Sequence, residues 1–322
     1  MSKYVVFDLE WNQSPGGKEQ SLEALPFEIV EIGAVKLDET FAVVEEFHRL
    51  IRPRMYRQLH YAMAGVTHLS MKELKRDGVD FEDAAADFLD WCGGDVFFCT
   101  WGSMDLAELQ RNLDFFGVEN TLPWPLFYFD VQKLYGLSVG DGRRPSLDAA
   151  VEKLGISQKW PFHRALDDAR YTGEILAHLG TARVMVYRSI DYHRLPQSRD
   201  QEIRVTFPTY TKYVSRVFDS KEDAMKDKGV TETRCYRCGR ALRKKIRWFT
   251  PNQKNYYCLT ICPEHGFMKG KIRMKKADSD ERVFAVKTLK LTDREGASMI
   301  AERRDLYRRK RAEKNRQKKA QS

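Results

Sequence analysis

Tyr4-Val5-Val6-Phe7-Asp8-Leu9-Glu10-Trp11 is a run of β-branched and aromatic residues with two carboxylates near its end. Such a run reads as a buried strand. Side chains alternate along a strand, so Asp8 and Glu10 project to the same side. Like charges held that close cost free energy unless a cation lies between them. A divalent metal with oxygen ligands is the usual solution. The alternative is a strand that runs out into a solvated loop, since polar residues at strand ends are common.

Outward from this strand, residues 12–26 are polar and Gly-containing and read as a loop. Residues 27–37 and 40–51 form a predicted strand pair around Asp38-Glu39. Gly65 predicts a turn within residues 61–70. Asp80 is a good N-cap for an amphipathic helix over Phe81–Cys92, closed by Gly93-Gly94. A short buried strand over 95–99 and a helix over 105–116 follow. Ser146 caps a helix over 147–154, and a longer helix over 165–179 stops at Gly180. Three strands, then helices around a fourth, predict an α/β domain over residues 1–180.

The 322 residues are 42% hydrophobic and 31% charged, which can fill a core and keep a charged surface. No stretch approaches the ~20 consecutive apolar residues of a membrane span. With no leader-like start, the expected location is the cytoplasm. Four of the six cysteines crowd into residues 235–262, which in a reducing compartment points to metal. The net charge of +9 is divided unevenly, with −11 over residues 1–180 and +20 over residues 181–322. A basic half joined to an acidic one suggests that the basic half meets a polyanion.

Residues 181–230 read as a connector with some helix, 231–291 as a small cysteine-bearing unit, and 292–322 as a basic helical tail. Thr292 and Glu295 match a capping box for that tail. From Arg303 onward it has too little apolar surface to pack and is expected to fray when free.

Two later stretches bear on Asp8 and Glu10. Thr100-Trp101-Gly102-Ser103-Met104-Asp105 puts Asp105 at a strand-to-helix junction, where catalytic side chains of α/β folds tend to sit. His163-Arg164-Ala165-Leu166-Asp167-Asp168 opens the long helix with His163 just outside it. Each has a plainer reading: Asp105 as an N-cap, His163 as a helix-entry residue, and Asp167 as a competitor for Asp168.

Taken together, this order of four carboxylates and one histidine resembles the DEDDh 3′–5′ exonucleases over roughly residues 1–180. Asp8 and Glu10 fit that family's first motif, Asp105 its second, and His163 with Asp168 its third. The Trp-Gly-x-x-Asp second motif looks most like the branch that trims RNA 3′ ends. The resemblance implies a ribonuclease-H-like mixed sheet flanked by helices and two Mg²⁺ or Mn²⁺ ions held by Asp8, Glu10, Asp105 and Asp168. It implies His163 as the general base that takes a proton from the attacking water. DNA is the alternative substrate. A non-catalytic RNA-binding protein that keeps the fold as a scaffold is the rival, although all five positions are filled.

In the basic half, Cys235-Tyr-Arg-Cys238-Gly and Cys262-Pro-Glu-His265-Gly resemble the paired knuckles of a zinc ribbon, implying one structural Zn²⁺. Cys258 is a spare that could replace His265. Arg243, Lys244, Lys245, Arg247 and Trp248 lie between the knuckles. Cations interleaved with aromatics suit phosphate contact and base stacking. The alternative has Trp248 and Phe249 packing a small core. The whole reads as an α/β nuclease with a zinc-ribbon-like β unit and a basic C-terminal helix. Its expected partner is nucleic acid, single-stranded RNA before DNA, with no membrane and no protein partner identifiable.

Overall fold

The structure is a computed structural model that describes residues 3–139, 144–179, 185–277 and 281–320. The chain divides into two compact units, residues 1–194 and 195–322.

The first unit runs β1 (Lys3–Asn12), β2 (Glu28–Leu37), β3 (Val43–Leu50), α1 (Tyr61–Thr67), α2 (Met71–Asp77), α3 (Phe81–Cys92), β4 (Val96–Thr100), α4 (Met104–Phe116), β5 (Phe127–Asp130), α5 (Val131–Val139), α6 (Leu147–Lys153), α7 (Ala165–His178) and β6 (Ser189–Ile190). Its six strands lie in the order β3-β2-β1-β4-β5-β6. β1 is antiparallel to β2 and parallel to β4, so the sheet is mixed, as the resemblance implies. The alternation of β1 feeds two cores. Val5, Phe7 and Leu9 pack with Phe88, Leu106 and Leu109 of α3 and α4. Val6 packs with Val35, Tyr171 and Ile175 on the α7 side. Asp8 and Glu10 share the parity of Val6, which puts them on the α7 side too.

Gly33 in β2 lies directly opposite Asp8. A Cβ there would come within 1.9 Å of the Leu166 backbone nitrogen and 2.2 Å of the Ala165 carbonyl carbon, in the first turn of α7. Only glycine lets the helix start this close to the strand. Gly33→Ala is therefore expected to cost about 1–3 kcal/mol through overpacking against backbone, read as a lowered melting temperature.

Some local expectations need correction. Gly65 does not make a turn. It sits inside α1, which is bounded by His60, whose side chain accepts from Ala62 N, and by His68 in the left-handed region at φ 57°. β5 and α5 are absent from the sequence reading because a four-residue strand running straight into a helix shows neither period clearly. α7 ends at His178 with Leu179 as its cap, and Gly180 lies outside the described residues.

The second unit runs β7 (Ile203–Thr206), β8 (Tyr210–Phe218), α8 (Lys221–Lys226), α9 (Lys228–Thr231), β9 (Arg243–Phe249), β10 (Asn255–Cys262), β11 (Gly266–Lys276), β12 (Val283–Leu291) and α10 (Arg294–Ala320). Its strands form one sheet in the order β7-β8-β12-β11-β10-β9. The stretch expected as a connector with some helix thus supplies β7 and β8 here and β6 in the first unit, besides α8 and most of α9. β8 pairs with β12, some seventy residues on, a partner no local pattern reveals. The capping box is also displaced: Asp293 Oδ1 accepts from Gly296 N at 2.8 Å, so the helix is capped at Asp293 and not Thr292. The basic tail is helical over Arg294–Ala320, as expected of it.

Candidate active site and candidate metal centre

The five residues singled out in the first unit come from four places in the chain and converge. Asp8 and Glu10 stand on β1, Asp105 opens α4, His163 precedes α7, and Asp168 lies in its first turn. Asp105 Oδ1 accepts from the Leu9 backbone N–H at 3.3 Å, between the two β1 carboxylates. Both oxygens of Asp168 accept from His163 N, at 3.3 and 3.2 Å. One ligand atom from each of Glu10, His163 and Asp168 falls within a 4.8 Å cluster. His163 is exposed and has φ 67°, a conformation rare outside glycine. Such backbone outliers gather at functional sites. Asp167 turns away and pairs with Arg170 at 2.7 Å.

The electrostatics are those of a buried, mutually repelling anion cluster. Burial, then the charges of Asp105, Asp168 and Glu10, hold Asp8 well above the ordinary carboxylate range. Burial and Asp168 push Glu10 up to about 8. Burial pushes Asp105 and Asp168 up to about 7, against the backbone N–H groups that favour their charged forms. Four converging carboxylates that depress one another's ionisation suit hard divalent ions with oxygen ligands.

Glu31, absent from the sequence reading, anchors the third segment. It lies opposite Glu10 on β2 and is 1% exposed. Its carboxylate accepts two bonds from Arg164 Nε at 3.1 and 3.2 Å, one from Arg164 Nη2 at 2.8 Å and one from Ala165 N at 3.2 Å. His48 Nε2 lies 2.6 Å away. Burial opposes its charge, but these bonds hold its pKa below the ordinary value. The available signal was Glu31 set among apolar residues within FEIVEIGAV, residues 27–35, where Glu28 is the other carboxylate.

A profile of the exonuclease family (RNase_T) matches residues 5–176, more than half of the chain. The chain belongs to the exonuclease family. A probable 3′-5′ exonuclease, KapD, of Bacillus subtilis is 32% identical over 171 residues, covering 51% of this chain and 78% of that one. A PolC-type DNA polymerase III of Thermotoga petrophila is 34% identical over 175 residues. That match covers 53% of this chain but only 11% of the polymerase, so the chain spans about a tenth of that relative's length. Among solved structures, the nuclease domain of 3′hExo, a DEDDh family member bound to rAMP, is similar with a TM-score of 0.49 and 20% identity. It covers 59% of this chain and 96% of that one. The resemblance read from five residues therefore holds at the level of family.

In the second unit of this exonuclease-family chain, Cys235, Cys238, Cys262 and His265 converge within 4.8 Å. Cys235 Sγ lies 3.5 Å from His265 Nδ1, Cys262 Sγ 3.6 Å from it, and Cys238 Sγ 3.7 Å from Cys262 Sγ. Zinc bonds of ~2.3 Å to sulfur and ~2.0 Å to nitrogen put tetrahedral ligand atoms about 3.8 and about 3.5 Å apart. These three separations match that geometry, and three thiols with one imidazole are a donor set that zinc takes. Gly239 and Gly266, both at positive φ, make the knuckle turns. Burial raises the Cys262 thiol, but hydrogen bonds from His265 and the backbone of residues 264–265 outweigh it and bring it to about 6.

Cys258 stands elsewhere. It is fully buried, lies against Gly270, and is pushed up to about 12 by burial. Arg243, Lys244, Lys245 and Arg247 are exposed on the edge strand β9. Trp248 is partly packed, as the alternative reading had it. Its indole donates to Thr231 O at 2.9 Å, and its ring lies half-buried against Gly270 and the core of Ile272 and Met274. A unit this small needs the apolar area.

Proposed function

We propose that this protein is a metal-dependent 3′–5′ exonuclease that hydrolyses phosphodiester bonds from nucleic-acid 3′ ends. The single observation that carries the reading is the convergence of Asp8, Glu10, Asp105 and Asp168 with His163 at their rim. When bound there, two Mg²⁺ or Mn²⁺ ions would supply a more acidic water and neutralise charge on the leaving oxygen. Asp8, Glu10, Asp105 and Asp168 would hold them. His163, exposed beside the cluster, would accept the proton of the attacking water as general base. Arg164, clamped by Glu31, fixes the backbone on which His163 turns toward the strand end. Cys235, Cys238, Cys262 and His265 would hold one structural Zn²⁺.

RNA is the substrate proposed first, on the Trp101-Gly102-x-x-Asp105 motif and on the basic second unit. DNA is the second reading, favoured by the likeness to PolC-type DNA polymerases. Matched single-stranded RNA and DNA oligonucleotides, digested separately with Mg²⁺ or Mn²⁺, decide between them. Faster shortening of RNA supports the first reading, and faster shortening of DNA overturns it in favour of the second. Loss of neither strand would leave the nuclease fold as a scaffold only.

A further inference from the structure

Strands β9, β10, β11 and β12 contain no aspartate or glutamate. A surface kept only for solubility mixes charges of both signs. Along β11 the alternation is strict: Met268, Ile272 and Met274 are buried while Lys269, Lys271 and Arg273 are exposed. Ile272 and Met274 pack toward Ala224 of α8 and Val230 of α9, which cover that face of the sheet. The lysines and arginine therefore project from the opposite face. Lys290 of β12 pairs in register with Lys269 and adds a fourth exposed cation to this side.

These four cations have no acidic partner among the described residues. Neighbouring cations of the same unit do: Arg240 pairs with Glu264 at 2.7 Å and Lys276 with Glu281 at 2.7 Å. The helix α10 covers part of this face, where Ala297 and Ile300 pack with Ile246, Leu259 and Phe267 at the start of β11, and leaves Lys269, Lys271 and Arg273 further along β11 exposed. Arg303 of α10 stacks over Tyr257 at 4.6 Å, and Tyr257 lies opposite Lys271. A basic helix thus borders a basic strip. Along β11 the charges repeat about every 6.7 Å, and the adjacent strand lies ~4.8 Å away. That spacing suits successive phosphates of an extended nucleic-acid strand.

We propose that the second unit binds a single-stranded nucleic acid across the exposed part of this face, beside α10, with Lys269, Lys271, Arg273 and Lys290 as phosphate contacts. The identity of the polyanion rests on the exonuclease reading. The surface differs from the β9 edge at Arg243–Arg247. Because the four cations meet the nucleic-acid backbone, the binding tolerates any base sequence and falls steeply with salt.

The test is anisotropy of a labelled single-stranded oligoribonucleotide bound to full-length protein carrying Asp8→Asn, over a series of salt concentrations. Combined K269Q, K271Q, R273Q and K290Q is expected to weaken binding roughly tenfold or more. It should also reduce the slope of log K against log salt by about 3, at ~0.7 for each phosphate no longer neutralised. Lys271→Gln alone should reduce it by about 0.7. Lys226→Gln with Lys228→Gln, on the covered side, should leave affinity and slope at parental values. Parental affinity in the fourfold variant, equal weakening in the control, or no binding by the parent would each overturn the proposal. Failure of the exonuclease reading shows separately, as strand binding by unsubstituted protein with no shortening.

Discussion

Asp8→Asn is expected to lower cleavage about 10³-fold or more while raising the stability of the metal-free protein at pH 8. The first effect follows from losing a carboxylate among the four that would hold the ions, since such ions supply several kcal/mol of charge stabilisation and 4 kcal/mol is about 10³ in rate. The second follows from the same cluster. Asp8, Glu10, Asp105 and Asp168 are all raised in the folded state. A folded pKa above the unfolded one means that the native state binds more protons between the two values. Stability without divalent cations therefore falls as pH rises from about 4, the ordinary carboxylate value, to about 8, the raised value of Glu10. Asparagine removes one of the repelling charges and flattens that fall. Thermal melts at pH 5 and pH 8, with and without Mn²⁺, read it directly. The parent should gain most from Mn²⁺ at pH 8 and the variant little. A variant that melts below the parent at pH 8 without cations would contradict a repulsive cluster.

Removing zinc should have the other large effect, confined to the second unit. Structural zinc sites in small peptides contribute about 10–16 kcal/mol of apparent binding energy, and the knuckles here organise their own small core of Leu242, Met268 and Leu291. Chelation at neutral pH is expected to release one zinc per chain and abolish the melting transition of residues 195–322. Short-strand cleavage by the first unit should persist in part. Cys238→Ser should do the same without a chelator. Cys258→Ala should retain the zinc, because that thiol lies against Gly270 and outside the ligand cluster. Native protein without zinc, or loss of zinc on changing Cys258, would count against the site.

The exonuclease domain was legible because its chemistry leaves marks in local sequence. A strand of period two carrying Asp8 and Glu10, and a helix opening with Asp105, need only a few residues to be seen. Helices over 81–92 and 104–116 were also readable, since a glycine follows each and an amphipathic face runs through. What stayed hidden depends on distant partners. Glu31 has a role only because Arg164 meets it, 133 residues away in sequence. Gly33 matters only because α7 docks on it. The second unit was harder still. Its cysteine knuckles have recognisable spacing, but β8 becomes a strand by pairing with β12, and the exposed side of β11 gains meaning only once α8 and α9 are seen to cover the other.

The most direct measurement uses one single-stranded RNA labelled at its 5′ end in one sample and at its 3′ end in another, each incubated with Mg²⁺ or Mn²⁺. The expected result is a descending ladder from the 5′-labelled strand and immediate release of labelled mononucleotide from the 3′-labelled one, both absent with Asp8→Asn. An intact strand, internal cuts, or equal degradation by Asp8→Asn would contradict a 3′–5′ exonuclease built on this cluster.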